Sequence, residues 1–334
     1  MSSPALDCST IVQRLRSMQL DLRTALRTHM QAQKPAVWSR TVRDDVGDTI
    51  FGIDAEIEDH LLAQCRLWGK EQHFTLIAEG LDSSGVTFGQ KGRGGPPFRL
   101  IVDPIDGTRG LMFDKRSAWC LMGVAPDLGP ATQLTDIEIA VMSELPTTRQ
   151  ACGDVLWAVR GKGTNGERHD FASGAVQPLP VVPSGSDSLQ NSFATVTAYF
   201  PGGKELTARL EEAILLRAFG PLDPNKAEIY CDQYICSGGQ LAEMALGRDR
   251  FVLDVRPLVH KKLGIKSSLC CRPYDLCAAL VAQEALCVVC DPFGAPLTGP
   301  LDTTTNLAFA AYANAKLAAK MIPIVREAVQ RVLG

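Results

Sequence analysis

The chain has 334 residues, 46% of them hydrophobic and 21% charged, and a formal net charge of −3. That length supports a large core divided between two lobes. With no basic excess, a nucleic acid polymer is not expected as a partner, and no apolar run approaches the roughly 20 residues that span a bilayer.

The opening segment, MSSPALDCSTIVQRLRSM, carries no apolar stretch of the secretory kind, which predicts a cytoplasmic protein without a membrane partner. The eleven cysteines sit mostly in apolar segments and are expected as reduced thiols packed as small hydrophobes. Cys287 and Cys290 form a C-x-x-C. In a strand this spacing puts the two thiols on opposite faces, which disfavours a metal or redox pair.

Ile11, Leu15, Met18, Leu22 and Leu26 recur at helical spacing, so a first amphipathic helix should end before Pro35. A second helix is predicted from Asp54 to about Cys65, with Ile57, Leu61 and Cys65 on one face. Five short apolar runs bounded by Gly, Pro or Asp read as strands: 74–78, 98–102, 118–124, 137–142 and 155–159. Between the first two, the glycine-rich basic segment 85–97 reads as a hairpin-like excursion or loop.

The polar, turn-prone stretch 184–191 divides the chain into an N-terminal lobe (1–185) and a C-terminal lobe (186–334). The second lobe reads as a strand at 193–200, helices at 204–217 and 238–246, and a strand at 250–254. A helix at 274–285, a strand at 286–290 and a long helical stretch over about 307–333 follow, the last expected to kink or split at Pro323. The alternation predicts a layered α/β protein.

The chemistry concentrates in Leu100-Ile-Val-Asp-Pro-Ile-Asp-Gly-Thr-Arg-Gly110, where an apolar run ends in two carboxylates three residues apart. Pro104 cannot donate to a sheet ladder, and Asp106-Gly107 is a turn dipeptide that allows close approach of a ligand to the backbone. Carboxylates suited to a hard cation thus lie beside main-chain N–H groups suited to an anion. A phosphate bridged by Mg²⁺ satisfies both. Glu79 follows another strand, Asp54 opens a helix and Asp275 opens a third element, which repeats the pattern. Each also has a plainer reading: Asp54 and Asp275 as helix caps, Glu79 as a solvated turn acid, and Asp103 with Asp106 as an Asx turn.

Asp103-Pro-Ile-Asp-Gly-Thr108 resembles the signature of the inositol monophosphatase family, within the Mg²⁺-dependent, lithium-sensitive phosphatases that include fructose-1,6-bisphosphatase and the 3′(2′),5′-bisphosphate nucleotidases. Tyr274-Asp275-Leu-Cys-Ala-Ala279 is similar to the family's second signature, and Asp291-Pro-Phe-Gly294 to the turn after it. The resemblance runs from about residue 45 to 315. It implies an αβαβα sandwich that hydrolyses a phosphate monoester of the inositol or sugar phosphate kind, commonly as a homodimer.

By the same resemblance, two or three Mg²⁺ ions would be held by Glu79, Asp103, the Ile105 carbonyl, Asp106 and Asp275. Thr108 and Asp54, with Glu79, would activate the attacking water. The N–H groups of Gly107 and Thr108 would hold phosphate, and Asp254 and Arg109 would contact the rest of the substrate.

The chain also departs from the family. Gly80 stands where members often have a second acid, and Arg109-Gly110-Leu111 is closer to the bisphosphate nucleotidases, which makes that activity the alternative. A segment carrying Arg256, His260, Lys261, Lys262, Lys266 and Arg272 intervenes between Asp254 and Asp275. It reads either as a solvated loop or as a seat for a second anion. A phosphate-binding protein without turnover is the remaining alternative.

Overall fold

Helix α1 (Cys8–Ala32) forms where apolar residues recur every third or fourth position, and it buries Ile11, Leu15, Met18, Leu22 and Leu26. The computed structural model describes residues 6–32, 38–45, 48–94, 97–221, 223, 225–266 and 269–334. A small hairpin, β1 (Thr41–Asp45) and β2 (Asp48–Phe51), leads into α2 (Gly52–Trp68). This helix starts two residues before Asp54, so Asp54 lies in its first turn and is not its cap.

The first sheet is built from β3 (Phe74–Ala78), β4 (Val86–Phe88), β5 (Phe98–Asp106), β6 (Ala118–Pro126), β7 (Ile139–Leu145), β8 (Cys152–Val159), β9 (Thr164–Asp170) and β10 (Val176–Pro178). One helical turn, α3 (Thr108–Leu111), follows β5. The strand order is β10-β9-β8-β7-β6-β5-β3-β4, with only β3 and β5 parallel. The glycine-rich segment after β3 contributes β4 as a hairpin partner.

The second sheet takes β11 (Ser192–Val196), then α4 (Lys204–Phe219), β12 (Ile229–Tyr230), α5 (Ser237–Ala245), β13 (Asp249–Asp254) and α6 (Arg256–Leu263). A single 3₁₀ turn at Tyr274–Leu276 precedes α7 (Ala279–Glu284), β14 (Val288–Cys290), β15 (Phe309–Tyr312) and α8 (Ala315–Leu333). Its order is β12-β11-β13-β15-β14. Helices α1 and α2 cover the outer face of the first sheet, α5 and α7 lie between the sheets, and α4 and α8 cover the second sheet. This is the layered αβαβα sandwich expected from the sequence.

Three expectations are corrected. The long helical stretch at the C-terminus begins as β15, because Phe309-Ala-Ala-Tyr312 is sealed on both faces and completes the sheet between β13 and β14. Pro323 does not split α8, whose buried stripe of Leu317, Met321, Val325 and Val329 pins both halves to the core. The segment after Asp254 is no solvated loop at its start: it forms α6, with Arg256 and His260 buried and Lys261, Lys262 and Lys266 exposed. All eleven cysteines are free thiols.

Candidate active site

The spacing of Asp103 and Asp106 poses a problem of geometry. In a regular strand, residues three apart face opposite sides of the sheet. Here the register of β5 against β6 is broken between Asp103 and Asp106, where Pro104 interrupts the ladder. The irregularity brings both carboxylates to one side, where they meet Asp275. Ligand oxygens of the three lie within 4.8 Å of one another.

Each carboxylate is held from behind. Asp103 Oδ1 accepts from the Ile105 N–H at 3.0 Å, so the interrupted strand folds back on its own acid. Asp106 accepts from the N–H groups of Gly238 at 2.5 Å and Ser237 at 3.3 Å, the first turn of α5. The Cys236 thiol, which caps that helix through the Gly239 N–H, donates to the Asp106 carbonyl at 3.0 Å. Asp275 accepts from the Arg272 N–H at 2.5 Å.

Burial pushes the Asp106 carboxyl up to about 6, against the pull of the Gly238 amide. Burial, and then the charge of Asp106, push Asp275 well above the usual carboxylate range. The trio is thus a concentration of carboxylates in low dielectric, offset in part by the charge of Arg256. Burial also pushes the Cys236 thiol up, so it remains a neutral donor.

Gly107 adopts φ 98°, a left-handed conformation that suits glycine and starts α3. A Cβ there would meet Cys236 Cβ at 3.0 Å and the Ile235 carbonyl at 3.1 Å, so the turn packs directly on the entrance to α5. Thr108 Oγ1 lies 3.0 Å from Asp54 Oδ1 and 2.8 Å from the Ile105 carbonyl. A hydroxyl has one proton for these two acceptors.

The cleft over these groups has a volume of about 90 Å³ and is lined by Glu79, Asp103, Ile105, Asp106, Gly107, Thr108, Arg109 and Asp275 among others. The structure thus brings together the expected ligands and phosphate-binding positions, with Asp54 reached through Thr108. Asp254 does not meet the cleft. It is fully buried, and both its oxygens accept from Arg256 Nε, at 3.0 and 2.9 Å. It is Arg256 that lines the cleft, together with Tyr199, Phe200 and Cys270. The Arg109 and Arg256 guanidiniums lie 5.1 and 5.6 Å from the Phe200 ring.

Tyr199, Phe200 and Cys270, and the Cys236-Ser-Gly-Gly239 turn, escaped the sequence reading, whereas Arg256 was named there within the basic segment read as a solvated loop or a seat for a second anion. The turn had a signal: small residues ahead of a helix expose the N–H groups that hold Asp106. The aromatic wall had none.

No family model matches the sequence, and no curated protein matches it either. Solved structures do match. A Thermotoga maritima IMPase is 17% identical, with 96% of this chain and 99% of that one covered, at a TM-score of 0.59. The extragenic suppressor protein SuhB from Bartonella henselae is 14% identical over 95% of this chain and 99% of its own, at 0.64. Leishmania major fructose-1,6-bisphosphatase in holo form is 13% identical over 99% and 100%, at 0.63. The likeness spans nearly the whole of each chain.

Proposed function

We propose that this chain, which has the fold of the inositol monophosphatases and fructose-1,6-bisphosphatases, is a Mg²⁺-dependent phosphomonoesterase acting on a small phosphorylated metabolite. The observation that carries the reading is the trio Asp103, Asp106 and Asp275, gathered within 4.8 Å beside the Gly107-Thr108 turn. Three carboxylates so placed, two of them buried, call for a cation. The donors are all oxygen, which fits Mg²⁺ and not zinc. Asp103, Asp106, Asp275, Glu79 and the Ile105 carbonyl would hold the ions. Bound there, they would neutralise the phosphate and acidify a water.

The chain's own groups do the rest. Gly107 and Thr108 open a helix, where main-chain N–H groups have no intrahelical acceptor and suit phosphate oxygens. Thr108 Oγ1 donates to Asp54 Oδ1, which leaves a hydroxyl lone pair to receive a proton from a water as its own passes to Asp54. The amides of Ser237 and Gly238 fix Asp106 in place.

The substrate is of the inositol or sugar phosphate kind on this reading. The far wall favours a second one: two arginines and the rings of Tyr199 and Phe200 suit a planar substrate with another anionic group, as in a 3′(2′),5′-bisphosphate nucleotide. A cytoplasmic homodimer accompanies the proposal, and sedimentation measures the dimer directly.

The test is phosphate release with and without Mg²⁺ from inositol 1-phosphate, fructose 1,6-bisphosphate, 3′-phosphoadenosine 5′-phosphate, histidinol phosphate and AMP. Mg²⁺-dependent turnover of one compound well above the rest is expected. Mg²⁺ binding by calorimetry with no turnover would turn the proposal toward a phosphate-binding protein. Absence of metal binding would remove it altogether.

A further inference from the structure

On the outer face of the first sheet, where α1 packs against β7 and β8, lies a second group of charges unrelated to the cleft. Arg23 and Arg27, one turn apart on α1, both point at Phe171. Their guanidinium carbons lie 5.3 and 3.8 Å from its ring. Arg23 is only 4% exposed, yet its Nη1 and that of Arg27 are buried without a hydrogen-bond partner among the described residues. Gly153 of β8 makes the room: a Cβ there would stand 3.0 Å from the Phe171 ring and 3.4 Å from Arg23 Nη1.

Carboxylates are near but already engaged. Asp154 takes Arg168 in two bonds, at 2.6 and 2.8 Å. Glu167 takes Arg16 at 2.5 Å and His169 at 2.8 Å. Glu144 accepts from the Gln150 side chain at 2.9 Å and the Asp154 N–H at 3.2 Å. Arg23 and Arg27 are what remains. Burial pulls the Arg23 guanidinium down to about 10, which still leaves it charged at neutral pH. A buried charge with open donors is costly unless something pairs with it.

We propose that Arg23 and Arg27 form a seat for a phosphate-class oxyanion, separate from the cleft, with Phe171 as its aromatic wall. Both guanidiniums lie against the Phe171 ring, one helical turn apart, each with an Nη1 that has no partner among the described residues, and such paired forks suit a tetrahedral oxyanion. Gln19, one turn earlier on α1, binds the carbonyls of Cys120 and Val141 at 3.1 and 2.9 Å. The helix that carries the seat is thereby fixed to the central strands.

The experiment titrates inorganic phosphate into the EDTA-treated full chain by calorimetry. The cleft is the same in wild type and variant, so the seat is read from the difference between their titrations. Wild type should bind one phosphate, and R23M/R27M should bind it at least about tenfold more weakly. In phosphate-free buffer, Arg23→Met should raise Tm, because it removes an unpaired buried charge, and phosphate should then stabilise wild type but not the variant. If the double variant fails to fold, Arg27→Met alone, at the half-exposed position, should still weaken binding severalfold. Equal binding by wild type and variant, no binding by wild type, or a lower Tm for Arg23→Met in phosphate-free buffer would overturn the proposal. A parallel titration of wild type and R23M/R27M with glucose 6-phosphate names the source: a component lost in the variant and tighter than phosphate by more than about tenfold indicates a metabolite's phosphate group, and one equal to phosphate indicates the free ion.

Discussion

Asp254 and Asp106 are both sealed from water, at 0% and 5% exposure, and their surroundings treat them in opposite ways. Asp254 is gripped by the Arg256 guanidinium, with Nη2 at 2.5 Å and Nε shared between its two oxygens. Asp106 receives two backbone amides, no guanidinium or ammonium group, and the neighbouring charge of Asp275. The chain can neutralise a buried acid with its own cation and does so at the end of β13. At the end of β5 three acids meet, and Arg256 acts on Asp106 and Asp275 only through its charge at a distance. On the proposed reading, the charge that answers the second group is a bound metal ion.

The sharpest way to break this comparison is Asp103→Asn. It should lower phosphate release by at least a thousandfold, roughly 4 kcal/mol of barrier, while raising Tm of the metal-free chain because repulsion is relieved. Unchanged turnover would end the metal reading. A lower Tm would mean that the trio is structurally compensated after all.

Asp254→Asn should do the reverse. It leaves Arg256 buried without its counter-charge and should cost about 3–5 kcal/mol in denaturant unfolding. Asp254→Asn with Arg256→Met should recover much of that loss. If the double variant is no better than the single, Asp254 matters for something other than its arginine.

Thr108→Ala tests the proton path. A positioned proton-transfer group is worth about a hundredfold or more in rate, so kcat should fall by that order with KM nearly unchanged. A rise in KM alone would make Thr108 a binding residue.

The same contrast explains what the sequence disclosed. Phe74–Ala78 reads as a strand, and is β3, because an apolar run bounded by polar residues leaves few other states. Phe309–Tyr312 reads as helix because its alanines have helical propensity. Only the neighbouring strands decide otherwise, and they arrive from 55 or more residues away on one side and 20 or more on the other. Asp103, Asp106 and Gly107 were legible because one short motif carries them.

The break in register at Pro104, which turns a spacing of three onto one side, was not legible, since it depends on pairing with β6. Arg256 was visible only as one cation in a basic segment. Its capture by Asp254, two residues earlier, and its place beside Phe200 belong to the folded chain.

The smallest expected effect is one of pH. The Asp106 carboxyl stands at about 6 in the folded chain against an ordinary value of 3.8. Between these values the folded state holds a proton that the unfolded state has released, so stability falls as pH rises from about 4 to about 6. Asp275 is displaced in the same direction and extends the loss to higher pH. For Asp106 alone the loss is on the order of 3 kcal/mol once it is ionised. Depressed carboxylates such as Asp127 and Glu167 contribute the opposite slope, present above their unfolded values and lost in acid. The isolating measurement is therefore the difference in Tm between wild type and Asp106→Asn, both metal-free, from pH 4 to 8. The variant should gain on wild type as pH rises through this window. Saturating Mg²⁺ should erase wild type's deficit, because the ion binds the ionised carboxylates and stabilises the chain more at pH 7 than at pH 5. A constant difference across the range would show that Asp106 is ionised throughout, with a compensating charge already inside the fold.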